Sequence, residues 1–295
     1  MLRGEPLELH PLQPVELDDP PDGVARVLLP TRLGPYAELG ALLWESVGVT
    51  WRREMLRANA RESGVRPSPA SAVQRPFQAA LRLLQLPRST ALLLRDGPGL
   101  APTILAAATP VSLVMSVDEA TDTTAGHFAL GRHVEGVRTG HLPITALAPD
   151  VADRMVRALT FAFGAPASER VDPAVAAAAA QLMDATPPRL HRQIQAYVQE
   201  LGPALTPARW RAVVDQARAR AGLLVSGDFF EASRWLLASA PVEVPRSLSW
   251  ALVEWEPLRD LLRFAVSEEY LMLRWPNTDN RRRRISSRPA PSERR

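Results

Sequence analysis

Apolar residues recur at helical spacing over residues 36–63, where Leu39, Leu42, Leu43, Val47, Trp51, Met55 and Leu56 share a stripe. That spacing predicts an amphipathic helix, broken by "GVRPSPAS" at 64–71. A second helix is predicted over 72–85, with Phe77, Leu81 and Leu84 on one face. The texture then changes. "TALLLRD", "PTILAAAT" and "VSLVMSV" are short apolar runs bounded by Gly, Pro and Asp, and they read as strands of a partly buried sheet. "VARVLLP", inside the proline-rich first 35 residues, also reads as a strand. After Asp122 the pattern returns to helix. Asp172, Thr186 and Thr206 each precede a proline-containing helix start, and Asp228 is placed to cap a helix through Leu237. A last helix is predicted over 256–274. The fold class is therefore α+β and mostly helical, with a small central β-sheet followed by a helical C-terminal half. The predicted division is an N-terminal extension and helix (1–70), a main domain (71–275) and an arginine-rich disordered tail (276–295).

Charge changes this picture only at the tail. Residues 281–295 hold seven arginines and one glutamate, a net +6 within a chain of net +3, so the remainder is about −3. The body is thus excluded as a basic nucleic-acid platform, and Arg281, Arg282, Arg283 and Arg284 are the candidate phosphate contacts. Every basic residue is arginine, which with abundant Ala, Leu and Pro fits a GC-rich bacterial gene. Cysteine is absent, which excludes disulfides, thiolate ligands and a cysteine nucleophile and suits a cytoplasmic setting. No run of about 18 apolar residues predicts a membrane span, and the first 20 residues lack the apolar core of a signal peptide.

Candidate chemistry concentrates in "GHFALGRHVEGVRTGH" (126–141), which carries His127, His133, His141 and Glu135. Two histidines on one helix share a metal when three or four residues apart. Here the gaps are six and eight. If the helix runs on to His141, the rings lie about 9 and 12 Å apart along the axis, and the six-residue step turns the second ring by about 240°. These three histidines cannot chelate one ion on such a helix.

The framing residues carry a resemblance. "LGRHVEGVRTGH", after three strands, resembles the central helix of zincin metallopeptidases of the prenyl-protease and HtpX type, whose HExxH is often preceded by Leu-Gly and followed by Gly-His. "DQARARAGLLVSGD" (215–228) resembles their third-ligand block, E-x-x-A-D-R-A-x-L-L. The similarity spans about 77–238. It implies a zincin-like fold for residues 71–275. In that frame Arg132 stands at the first metal histidine, His133 at the catalytic glutamate, Gly136 at the second histidine and Asp215 at the ligand glutamate. Leu130, Gly131, Gly140 and His141 fit the flanks, and Ala219 replaces an aspartate. A catalytic zinc needs three protein ligands, an open water position and a general base. With these replaced, the resemblance implies a degenerate, non-catalytic domain with no cofactor. An Arg132–Asp215 ion pair is expected in place of a metal bond.

The chain also resembles degenerate sequences at the C-terminal ends of large deltaproteobacterial tetratricopeptide-repeat proteins. The expected role is therefore a cytoplasmic structural or protein-interaction module with protein partners, including tetratricopeptide-repeat segments. Two other readings compete: a metal-dependent hydrolase rearranged around His133, His141 and Asp215, and a nucleic-acid-associated protein acting through its tail. On the leading reading His133 is a partly exposed polar residue, His127 and His141 are hydrogen-bonded structural histidines, and Glu135 is a solvated helix charge. Ser226-Gly227-Asp228 is expected as a turn and helix cap. "DGPGL" (96–100) lacks the Lys-Ser/Thr end of a phosphate loop and reads as a turn. Trp210 falls at helical spacing with Val213, Val214, Ala217 and Ala221, which predicts core packing.

Overall fold

The computed structural model describes residues 24–29, 33–58, 66–67, 71–97, 102–106, 108, 110–164, 171–245 and 247–274, with the side chains of 49–58 left aside. Residues 1–23 and 275–295, including Arg281, Arg282, Arg283 and Arg284, lie outside the described residues, as do Pro98, Gly99 and Leu100. The described chain is mostly helical with one small mixed sheet. The first elements are α1 (Val24–Leu28), α2 (Gly34–Ala58), α3 (Gln74–Leu83), β1 (Ala91–Arg95), β2 (Thr103–Leu105) and β3 (Ser112–Ser116). Then come α4 (Thr124–Glu135), α5 (Leu142–Thr145), α6 (Pro149–Phe163), α7 (Pro173–Ala185) and α8 (Pro188–Leu201). The series ends with α9 (Pro207–Ser226), α10 (Phe229–Ser239), α11 (Leu248–Glu254), α12 (Glu256–Ala265) and α13 (Glu268–Arg274).

The strand order is β1-β3-β2. β3 pairs parallel to β1 (Leu93 with Val114) and antiparallel to β2 (Ile104 with Leu113). As the central strand β3 is buried along its whole length, which is why "SLVMS" is apolar at consecutive positions instead of alternating. The sheet delivers the chain to the N-terminus of α4, where Thr123 Oγ1 accepts the Gly126 N–H at 3.1 Å.

The centre of the molecule is the packing of α4 on α9. Gly131 faces Val225 and the Ala221 carbonyl so closely that a Cβ there would lie 2.7 Å from Val225 Cγ2. Gly222 faces Phe128, and its Cβ would lie 2.8 Å from the ring. These two glycines let the helix backbones approach. Trp210, Val213, Val214, Ala217, Ala221 and Leu224 of α9 are all buried, as their spacing predicts. One continuous apolar cluster extends from Val24 to Leu273, so α1 and α2 pack into the same core as the helices that follow. α9 also carries a buried bidentate pair, Arg220 to Asp260 at 2.9 and 2.6 Å, with the Arg220 guanidinium 5.1 Å from the Phe264 ring centre. It joins α12 to α9, and longer contacts from Arg220 reach the carbonyls of Val27 and Leu28 on α1.

Several expectations need correction. "VARVLLP" opens as helix α1, because Val24 and Leu28, four residues apart, are buried on one face against α9 and α13. The α8 start is Pro187–Pro188, and Thr186 instead closes α7, with its hydroxyl donating to the Leu182 carbonyl at 2.6 Å. The predicted helix 256–274 is two helices. Ser267 accepts the Tyr270 N–H and so starts α13 anew. The helix carrying His127 and His133 ends at Glu135, so the condition of a helix continuous to His141 is not met. The turn at 226–228 is as expected: Gly227 is left-handed (φ 71°) and Asp228 accepts from the N–H groups of Phe230 and Glu231. Asp172 and Thr206 cap as expected. No described helix is long and apolar enough to cross a membrane.

Candidate functional site

The C-terminal half of α4 lies against the middle of α9, and this crossing brings Arg132, His133 and Asp215 together. Arg132 Nη2 donates to Asp215 Oδ1 at 3.0 Å, the pair expected from the sequence. Arg218, three residues after Asp215 and so on the same helix face, joins the group. Its Nη1 donates to Asp215 Oδ1 at 3.2 Å, its Nε to the Arg132 carbonyl at 3.2 Å and its Nη2 to His133 Nδ1 at 2.9 Å. Gly136 stands at the rim of the cluster. A Cβ there would sit 3.6 Å from Arg218 Nε and 3.0 Å from Ile104 Cδ1. The fifth member is Glu119, after β3, whose Oε1 lies 2.9 Å from His133 Nε2.

These contacts fix the His133 tautomer. A guanidinium only donates, so Nδ1 facing Arg218 is the acceptor. Nε2 then carries the proton and donates to Glu119. His133 is buried, not partly exposed as expected, and both ring nitrogens are committed. Burial pushes its pKa down to about 4, and Arg218 and Arg132 push the same way against the pull of Glu119. Arg132 is lowered to about 10, first by burial and then by Arg218, with Asp215 and Glu119 opposing. Arg218 is lowered chiefly by burial. Trp235 of α10 covers the group, its ring 5.1 Å from the Arg132 guanidinium, 6.2 Å from the His133 ring and 5.5 Å from Phe128.

The chain matches no family model, no curated protein and no solved structure.

His141 belongs to a neighbouring cluster. Glu135 is buried, not solvated: Arg138 holds it by two bonds at 2.5 and 2.8 Å and also donates to the Leu84 carbonyl. Because α4 stops at Glu135, the chain folds back and brings His141 Nδ1 to 3.2 Å from the Glu135 carbonyl oxygen. The distances worked for a continuous helix therefore do not apply to His141. Burial lowers its pKa. His127 makes an exposed contact to Asp122 at 2.8 Å.

The group does not fit a zinc ion. Arg132 and Arg218 are cations without a lone pair to give, Gly136 has no side chain, and His133 has no free nitrogen. Among the described residues, no group of three or more His, Cys, Asp or Glu side chains is arranged to hold a metal ion. What the site can do is fix two guanidiniums in place and aim them at an exposed carboxylate. Arg218 was missed by the sequence reading, although its i,i+3 relation to Asp215 was a signal that could have found it. Glu119 had no such signal, because only the fold brings a residue 14 positions upstream onto His133.

Proposed function

We propose that this chain is a metallopeptidase-like domain of the zincin type without peptidase activity. In this reading an arginine-centred ion-pair network stands where zincins hold zinc, and the domain serves as a structural or protein-interaction module in the bacterial cytoplasm. Tetratricopeptide-repeat segments are the partner class that the sequence resemblance implies. The observation carrying this reading is the double engagement of His133, whose two nitrogens are spent on Arg218 and Glu119. Arg218 adds to it. In the E-x-x-A-D-R-A-x-L-L pattern its position is alanine, and here a guanidinium fills the space between Asp215, Arg132 and His133. Two guanidiniums, which have no lone pair to give a metal, occupy this space, and the imidazole between them has no nitrogen left to act as ligand or base.

The test is the metal content of the full chain purified from zinc-supplemented cells, measured with its activity on unfolded casein. The expected result is zinc far below one per chain and no cleavage. Stoichiometric zinc that is lost in the His133→Ala, Asp215→Ala double variant would overturn the reading.

A further inference from the structure

The two arginines of the site are held from behind, whereas the carboxylate between them is not. Side-chain exposure is 51% for Asp215 against 14% for Arg132 and 19% for Arg218. Arg218 is fixed by His133 Nδ1 and by the Arg132 carbonyl, and Arg132 is braced by the Trp235 ring. Both arginine bonds to the Asp215 side chain run to one oxygen, Oδ1. The rest of the Arg132 fork is little used. Its Nη1 has a long 3.5 Å contact to the Asp215 carbonyl, and its Nε is buried without a hydrogen-bond partner. Two pre-positioned guanidiniums behind one short, exposed carboxylate form a carboxylate-recognition arrangement already holding a carboxylate of its own.

We infer that Asp215 is a displaceable built-in occupant, and that Arg132 and Arg218 dock a carboxylate presented by a protein partner. This rests on the interaction-module reading and names the partner's chemistry at the same site. Arg132 remains cationic at neutral pH although burial lowers its pKa to about 10. Rotation of the Asp215 side chain toward solvent frees Oδ1's place on both forks without moving α9. In the resting chain Asp215 competes as an intramolecular ligand, at the high effective concentration that covalent attachment gives, so binding of an outside carboxylate is weakened until its partner supplies further contacts.

A carboxylate reaches such a site from a chain end or from an Asp or Glu side chain, and two probes separate these sources. N-acetylglycine carries only a chain-end carboxylate; N-acetylglutamate α-amide carries only a side-chain one. Each is titrated into the full chain while the indole N–H resonance of Trp235 is followed, assigned with Trp235→Phe. The expected result is a saturable shift with at least one probe. Asp215→Asn should bind about tenfold tighter, because a neutral amide oxygen competes more weakly than a carboxylate and the like charge beside the ligand is gone. Arg132→Gln should abolish the shift. If Arg132→Gln fails to fold, the gain of affinity in Asp215→Asn decides alone, since misfolding does not tighten a specific site. No saturable shift with either probe in Asp215→Asn, or no tightening relative to the parent chain, would overturn the inference. That failure leaves the zinc-free reading standing, whereas stoichiometric zinc removes that reading first.

Discussion

Acid should destabilise this protein through His133 in a way that one substitution isolates. The ring is buried, with Glu119 on Nε2, Arg218 on Nδ1, Arg132 nearby and Trp235 at its edge. A second proton would have to sit on Nδ1, facing a guanidinium that itself needs an acceptor there. The folded-state pKa is about 4, against 6.5 for an ordinary histidine. Between these values the unfolded chain binds the proton and the folded chain does not, so stability rises with pH across that window and is lost as pH falls through it. For a single site the loss from pH 8 to pH 5 is about 2 kcal/mol, or roughly 4–8 °C in Tm for a protein of this size. Buried His141, whose pKa is also lowered, adds in the same direction. Carboxylates contribute their own acid dependence, so the quantity to read is a difference. Urea unfolding of the full chain and of His133→Gln should be compared at pH 5 and pH 8. The glutamine does not titrate. The variant should be less stable at pH 8, having lost the imidazole ring that packs at the edge of Trp235, but should lose about 2 kcal/mol less on acidification. Equal losses in the two proteins would refute the neutral, doubly bonded histidine.

The remaining predictions concern the charges around it. Asp215→Ala leaves two largely buried guanidiniums without their shared acceptor and should cost about 1–2 kcal/mol by denaturant melts, a figure held down by the exposure of the carboxylate; an unchanged midpoint would contradict the network. Asp260→Ala strands Arg220 in the core between α1, α9 and α12 and should cost about 3–5 kcal/mol in the same measurement. A loss no larger than that of a surface substitution would show the pair to be incidental. Restoring the motif with Arg132→His, His133→Glu, Gly136→His, Asp215→Glu and Arg218→Ala should create zinc binding detectable by calorimetry. A Cβ at 136 would sit 3.0 Å from Ile104 Cδ1 and 3.1 Å from the His133 carbonyl oxygen, so both must give by a few tenths of an ångström, and the local backbone (φ −60°, ψ −18°) suits a side chain. A folded quintuple variant that binds no zinc would count against the zincin reading.

The parts of the fold that depend on local pattern were legible. The stripe Trp210, Val213, Val214, Ala217, Ala221 gave α9, the caps at Asp172, Thr206 and Asp228 gave helix starts, and the three apolar runs gave the sheet. The parts that depend on what the chain meets elsewhere were not. "VARVLLP" has strand composition, yet α1 forms because Val24 and Leu28 find one apolar surface made by α9 and α13. Glu135 looks like a surface charge until Arg138 folds back over it. In the site, Arg132 and Asp215 could be paired in advance through their places in two sequence blocks. Arg218 was not singled out, although its place three residues after Asp215 puts both on one helix face. Glu119 and Trp235 reach the cluster through tertiary packing, which no spacing along the chain reveals.

Whether His133 is free to bind anything separates an ion-pair network from a metal site. The direct measurement is the imidazole 15N spectrum of the full chain at pH 7, before and after one equivalent of zinc. The network predicts a neutral ring protonated at Nε2, with Nδ1 shifted as a hydrogen-bond acceptor and neither signal moved by the metal. A His133 resonance that is cationic or protonated at Nδ1, or that shifts stoichiometrically with zinc, would contradict it.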